Sequence, residues 1–353
     1  MKHTLTYIAS LAACLLITGC GQDATPLAEA AAKADATGES LQLGAVEILA
    51  QEGEPATRAT AGYTALTTEN AQMGLFRKVD GAVYTALQNV PYTYKKPAGE
   101  TTLEWLPDGG DDQTVWLHPT TQANIAACYP YNASLSPVSG KEGVVNLTAA
   151  IRNTATPQDL WYGHCQANGA RPKVASLSLN QAYARLQITV LIDESVSYVE
   201  RPYLYKLVIS GGRVDGTSTT DGIFSTAELD MYQDAANAYT RGTKDYTPVD
   251  ITANTYQITD NATTTKAAFD LMMIPAALTD AVTLTVSVGG TTANAKTMSV
   301  SIPAADFGSK LEAGKIYKVS VKIKGTDISE FGIVTTDWNP TTSGNINFGN
   351  PVY

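Results

Sequence analysis

Hydrophobic positions in this chain recur mostly every second residue, the period of a half-buried strand. Leu41-Gln42-Leu43 and Val46-Glu47-Ile48 alternate in this way, and Gly44 sits at the phase change, where a bulge is expected. Residues 73–77, 83–87, 90–94, 114–117 and 124–129 read as further strands, with turn signals such as Pro107-Asp108-Gly109-Gly110 between them. Residues 153–168 are rich in Asn, Thr, Pro, Gly and Gln, which puts a domain boundary near their end. A second set of strands is predicted at 174–179, 186–192, 203–209, 269–274, 282–288, 296–302 and 316–323. Leu186, Ile188 and Val190 share one strand face, as do Leu284, Val286 and Val288. Residues 211–266 are polar and rich in Thr, Asp and Tyr, and are expected to form a loop excursion with short strands or one helical turn around 225–234. No repeat of 20–50 residues is present. The pattern predicts an all-β chain of two β-sandwich domains, 41–168 and 169–353, with helix below about a tenth of residues rather than the usual third.

The first twenty residues do not belong to that pattern. Lys2 and His3 give a weakly basic start, and residues 5–17 form an apolar run too short for a permanent membrane span. The run ends in Ile17-Thr18-Gly19-Cys20, small residues before a Cys, the arrangement of a lipoprotein signal in which Cys20 is acylated. Several acyl chains on one residue make a stable outer-membrane anchor. No other segment approaches 18 apolar residues. Residues 21–40 read as a flexible tether. A polar Gly/Pro stretch at 52–60 holds one Arg in Thr57-Arg58-Ala59-Thr60, the kind of exposed segment that proteases cut.

Composition narrows the function. Across 353 residues Lys plus Arg is 24 against 34 Asp plus Glu, a net charge of −10, which argues against nucleic acid as a partner. Three His and four Cys leave little for metal or imidazole chemistry. There is no G-x-S-x-G elbow, P-loop, G-x-G-x-x-G or H-E-x-x-H, so no catalytic residue, cofactor or metal ligand is assigned and no enzyme is expected. His118 and His164 read as isolated structural or surface residues. Asp108, Asp111 and Asp112 form an acidic turn whose spacing does not fit an EF-hand. Cys14 leaves with the signal peptide and Cys20 takes lipid, so Cys128 and Cys165 remain; export leaves a disulfide and two buried free thiols as open readings.

Several patches, in one order, resemble the fimbrillin family of type V pilus proteins, over the chain from Cys20 onward. Ala126-Ala127-Cys128-Tyr129-Pro130-Tyr131 is similar to the family's Ala-Tyr-Tyr-Pro-Tyr strand end, with Cys128 in place of a Tyr. Pro157-Gln158-Asp159-Leu160-Trp161-Tyr162 resembles the segment closing the family's first domain. Residues 177–190, with Ala184-Arg185-Leu186, resemble the opening of its second domain, Gln181 standing where a His is common. Leu311-Glu312-Ala313-Gly314-Lys315-Ile316-Tyr317, followed by Trp338, resembles its late hairpin.

That resemblance implies two transthyretin-like β-sandwich domains, lipoprotein export to the cell surface, a maturation protease specific for Arg, and polymerisation with other pilus subunits by strand exchange. A cut between Arg58 and Ala59 would then remove Leu41, Leu43, Val46 and Ile48, the candidate groove-filling strand. An incoming segment would replace it by β-augmentation. Ile346, Phe348 and Val352 alternate within 341–353 and are the candidate donor, although the same segment also reads as the second domain's own last strand. The alternative function is an anchored surface lipoprotein that binds a glycan or host protein through exposed Tyr and Trp on loops such as 211–266.

Overall fold

The computed structural model describes residues 39–40, 42–48 and most of 66–337; within the last span, 67, 80–82, 110–112, 119, 152–158, 168–173, 194, 196, 198–199, 213–222, 250–255 and 259–267 are left undescribed. In chain order the strands are β1 (Glu39–Ser40), β2 (Gln42–Ile48), β3 (Gln72–Arg77), β4 (Leu87–Lys95), β5 (Glu104–Pro107), β6 (Trp116–Leu117), β7 (Ala123–Tyr129), β8 (Val144–Thr148), β9 (Ala150–Ile151), β10 (Trp161–Ala167) and β11 (Val174–Gln181). There follow β12 (Ala184–Ile192), β13 (Tyr203–Gly211), β14 (Thr226–Asp230), β15 (Tyr239–Arg241), β16 (Tyr246–Val249), β17 (Ala268–Met273), β18 (Ala276–Ala277), β19 (Val282–Gly289), β20 (Lys296–Ile302), β21 (Lys310–Leu311), β22 (Lys315–Lys324) and β23 (Asp327–Asp337). Among the described residues 59% are strand and 4% helix, so the fold is all-β.

The largest sheet has seven strands in the order β2-β11-β10-β7-β3-β4-β5. A five-stranded sheet runs β23-β22-β12-β17-β9, a four-stranded one β16-β13-β19-β20 and a three-stranded one β15-β14-β8. Buried apolar side chains form two clusters. Alternation along β7 sends Ile125, Ala127 and Tyr129 into one cluster and Ala126 and Cys128 into the other, so this strand is covered on both faces. That double cover explains the unbroken apolar run Ile125 to Tyr129, since neither face needs polar residues.

Several elements depart from simple alternation. Residues 83–86 do not form the expected strand, because the carbonyl of Thr85 turns inward to accept from Nε and Nη2 of buried Arg77, at 3.1 and 3.0 Å. Nη1 of Arg77 donates to the Trp116 carbonyl at 2.8 Å, so one guanidinium ties three chain segments together. The polar run Gly163-His164-Cys165-Gln166 hides β10, a central strand that pairs with β7 from Trp161 to Ala167. Gly163 is required there, since a Cβ would lie 2.2 Å from the Ser178 carbonyl oxygen of β11. The 211–266 excursion supplies β14, β15 and β16, and β14 pairs with β8. The strand β11, which follows the 168/169 boundary in sequence, hydrogen-bonds to β10 in the large sheet.

Strand β12 is buried at all nine positions, polar ones included. Arg185 on β12 holds Asp270 on β17 in a two-pronged ion pair, Nε to Oδ1 at 2.6 Å and Nη2 to Oδ2, between strands that pair directly through Arg185 and Met272. Two charges out of water are tolerable only when each satisfies the other.

The pairing of Cys128 with Cys165 does not occur; both are free thiols. Cys128 stands opposite Tyr162 and Cys165 opposite Ile125, three positions apart along the β7–β10 ladder. They also serve different clusters on opposite faces of the sheet, out of disulfide reach. Burial pushes the Cys128 thiol up to about 12 and the Cys165 thiol up to about 11, so neither forms thiolate at neutral pH.

Two outcomes are expected. Arg185→Ala should cost about 3–5 kcal/mol in urea unfolding, whereas exchanging both partners for apolar residues, Arg185→Met with Asp270→Leu, should cost far less. A single-variant loss no larger than that of an exposed pair, ~0–1 kcal/mol, would contradict the buried-pair reading. In a chain starting after Cys20, a thiol reagent should reach Cys128, which is buried, only after denaturation, while half-buried Cys165 reacts first; rapid labelling of Cys128 in the native protein would refute its burial.

A candidate assembly edge

The region of interest is one edge of the seven-stranded sheet. β2 is outermost there and pairs with β11 in parallel: Gln42 with Val174, Leu43 with Ala175, Val46 with Leu177, Glu47 with Ser178 and Ile48 with Leu179. Between Leu43 and Val46 the register advances three residues on β2 against two on β11. The extra residue falls at Gly44-Ala45, where the hydrophobic pattern changes phase. The register sets Val46 and Ile48 level with Leu177 and Leu179, which are fully buried.

Among the described residues β11 is the only strand paired with β2. On its other side β2 comes within 8 Å, at Cα, of β5, the opposite edge of the same sheet. The two edges of the sheet, β2 and β5, therefore approach one another. Trp105 of β5 is buried in one of the two apolar clusters and stacks at a tilt on Tyr94, ring centres 5.3 Å apart. The preceding strand β1 fastens the same segment elsewhere, Glu39 opposite Leu117 and Ser40 opposite Trp116 of β6. The parallel neighbour β11 was hard to find from sequence, because the partners Ile48 and Leu179 lie 131 positions apart (179 − 48) and nothing local encodes the pairing. Cys20, Leu41, Arg58, Ala59, Ile346, Phe348 and Val352 lie outside the described residues.

The polar groups singled out in the sequence are absorbed by local structure. Asp108 caps the end of the sheet beside β5. Burial alone would raise its pKa, but hydrogen bonds from Lys95 at 2.8 Å, from Thr93 and from Gln72 at 3.1 Å outweigh it and hold the carboxyl below its usual range. Its oxygens are thus committed to three neighbours. His118 accepts the amides of Thr120 and Thr121 on Nδ1, at 3.2 and 3.3 Å, and so caps a turn. His164 lies 3.5 Å from the exposed carboxylate of Asp234. Among the described residues no group of three or more His, Cys, Asp or Glu is placed to hold a metal. No described helix is long and apolar enough to cross a membrane.

Comparison with known proteins gives one family and one shared fold. The model of a family described as fimbrillin-like matches residues 57–338. No curated protein matches the chain. A candidate cell adhesion protein from Bacteroides uniformis is similar over 85% of this chain and 98% of its own, with 17% identity and a TM-score of 0.51. A fimbrial protein from Bacteroides vulgatus is similar over 84% of this chain and 99% of its own, with 13% identity and a TM-score of 0.41. A fimbrial assembly protein from Parabacteroides distasonis covers 85% and 96%, with 14% identity and a TM-score of 0.40. At 17% identity the Bacteroides uniformis protein speaks to fold alone. The family match spans most of the chain and every described strand except β1 and β2, and the chain belongs to the fimbrillin-like family, a family of structural, non-enzymatic fimbrial proteins.

Proposed function

We propose that this chain is a subunit or associated adhesin of a surface fimbrium, exported as a lipoprotein on Cys20, cut after Arg58 and joined to its neighbours by strand exchange. One observation carries the reading: the outermost strand of the large sheet comes from residues upstream of Arg58, while the sheet's other strands come from residues 72–181. A single cut in the linker at 52–60 would sever that strand's covalent tie and leave the rest of the sheet intact.

The tether matters because an attached strand rebinds as an intramolecular event, at an effective concentration in the millimolar range for a short flexible link. Once cut, it must compete with segments from other subunits. Its departure would leave β11 with a row of unpaired backbone groups beside the buried Leu177 and Leu179. A replacement must run parallel to β11 and present apolar residues at every second position. Ile346, Phe348 and Val352 meet the second condition, and Arg58 with Ala59 supplies the cut. The partners are other pilus subunits, a maturation protease, and the outer membrane through the lipid until cleavage. The anchored-lipoprotein alternative differs in one respect, since a binder of glycan or host protein that stays on the membrane keeps Cys20.

Palmitate labelling of cells is expected to mark the precursor and to vanish in Cys20→Ala; a wild-type chain that never takes label removes the lipoprotein step. For assembly, a chain from residue 39 onward should elute as a monomer and form higher oligomers after limited trypsin treatment. It should fail to do so in Arg58→Ala or when 341–353 is deleted. Oligomers formed equally well without a cut would remove the gate at Arg58, and oligomers that survive the deletion would remove the donor role of Ile346, Phe348 and Val352.

A further inference from the structure

The segment upstream of the linker is fastened to the body of the protein at two places that share no strand. β1 pairs antiparallel with β6, Glu39 opposite Leu117 and Ser40 opposite Trp116. β2 pairs parallel with β11. Only Leu41 lies between β1 and β2. Among the described residues β6 has no strand partner besides β1.

The β6 site is built by the body itself. The amides of Val115 and His118 donate to the hydroxyls of Tyr92 and Tyr84, at 2.9 and 2.7 Å, and Nη1 of Arg77 donates to the Trp116 carbonyl at 2.8 Å. Leu117 is buried in the same apolar cluster as Tyr84 and Tyr92. A cut at 52–60 touches none of these bonds, so the place where β1 docks outlives it.

The β11 site is the opposite case, because it depends on its occupant. β11 is in register with β10 only at Asn180 and Gln181, whereas Val174, Ala175, Leu177, Ser178 and Leu179 are in register with β2. Without β2, and among the described strands, that stretch of β11 would have a ladder on neither side, with Leu177 and Leu179 buried beside it. An empty site is therefore costly, and a filled one is favoured until a substitute arrives.

We infer that cleavage in the linker does not empty these sites: the upstream segment stays docked as a separate peptide, held at both β6 and β11, and leaves only when an incoming segment displaces it. Resting on the cut proposed above, this adds a step between cleavage and assembly. When one of the two strands lets go, the other keeps the peptide within reach. The single-residue link at Leu41 makes its return an intramolecular event, at an effective concentration in the millimolar range. Cleavage makes displacement possible, and the competing segment sets its rate.

The test uses a chain that starts at residue 21 and carries a thrombin site in place of residues 53–59, so it depends on neither Arg58 nor the natural protease. After the cut, size exclusion separates monomers from any oligomers, and native mass spectrometry reads how much upstream peptide each holds. Monomers should hold the peptide in equal amount through repeated gel filtration. Glu39→Pro with Ser40→Pro removes both β1 amides and should speed loss of the peptide about tenfold or more. The uncut proline variant should elute and give far-UV circular dichroism like its parent. Cut monomers that have shed the peptide would overturn the inference, whatever the oligomers do. Retention that the β1 prolines leave unchanged would also overturn it, because β6 would then hold nothing. Oligomers that exclude the peptide fit displacement. Oligomers that still hold it would leave retention standing and remove strand exchange from the proposed function instead.

Discussion

The middle of the seven-stranded sheet, at β7, is buried on both faces, and that constraint governs the molecule. A doubly covered sheet has no access to water above or below, so each backbone donor and acceptor must find a partner sideways, within the ladder. The interior strands manage this without special residues: β10 is paired from Trp161 to Ala167 on one side and with β11 on the other. The problem is displaced to the two edges, β2 and β5. Their approach to one another is the fold's answer, since edges that lie close together are shielded where those of a flat sheet stand exposed. One of those two edges, β2, comes from the far N-terminal side and joins the sheet through its parallel pairing with β11.

Buried charge serves orientation here. Arg77 reaches the carbonyls of Thr85 and Trp116 and lies 5.1 Å from the Tyr84 ring centre, which fixes two irregular segments against β3. Arg185 and Asp270 do the same between β12 and β17, where a slip of one residue would separate the charges in a dry interior. Neither site is solvated enough or open enough for chemistry. In a fold with few helices to set geometry, two guanidinium groups supply register that apolar packing alone leaves loose.

Much of this was legible in the sequence wherever alternation was clean. Strands β12, β19 and β22 follow from Leu186, Ile188 and Val190, from Leu284, Val286 and Val288, and from the run that begins at Ile316, because one face of each strand meets a core. The bulge at Gly44 follows from the phase change in the same way. What escaped was set by long-range contacts. β10 looked like a linker because its pairing energy comes from β7 and β11 rather than from its own side chains. Residues 83–86 looked like a strand until Arg77 claimed the Thr85 carbonyl. β23 went unread because an edge strand rich in Asp, Ser, Glu and Thr needs only one partner, β22, and keeps much of its surface in water.

Strands β8 and β9 are nearly consecutive, with only Ala149 between them, yet β8 pairs with β14 and β9 with β17, in different sheets. Eight residues thus act as a stitch through two layers of the protein. Under tension, neither layer can swing away from the other without first unpicking both ladders. In a filament made of such subunits, compliance belongs to the joints between copies, and each copy behaves as a stiff link in a chain.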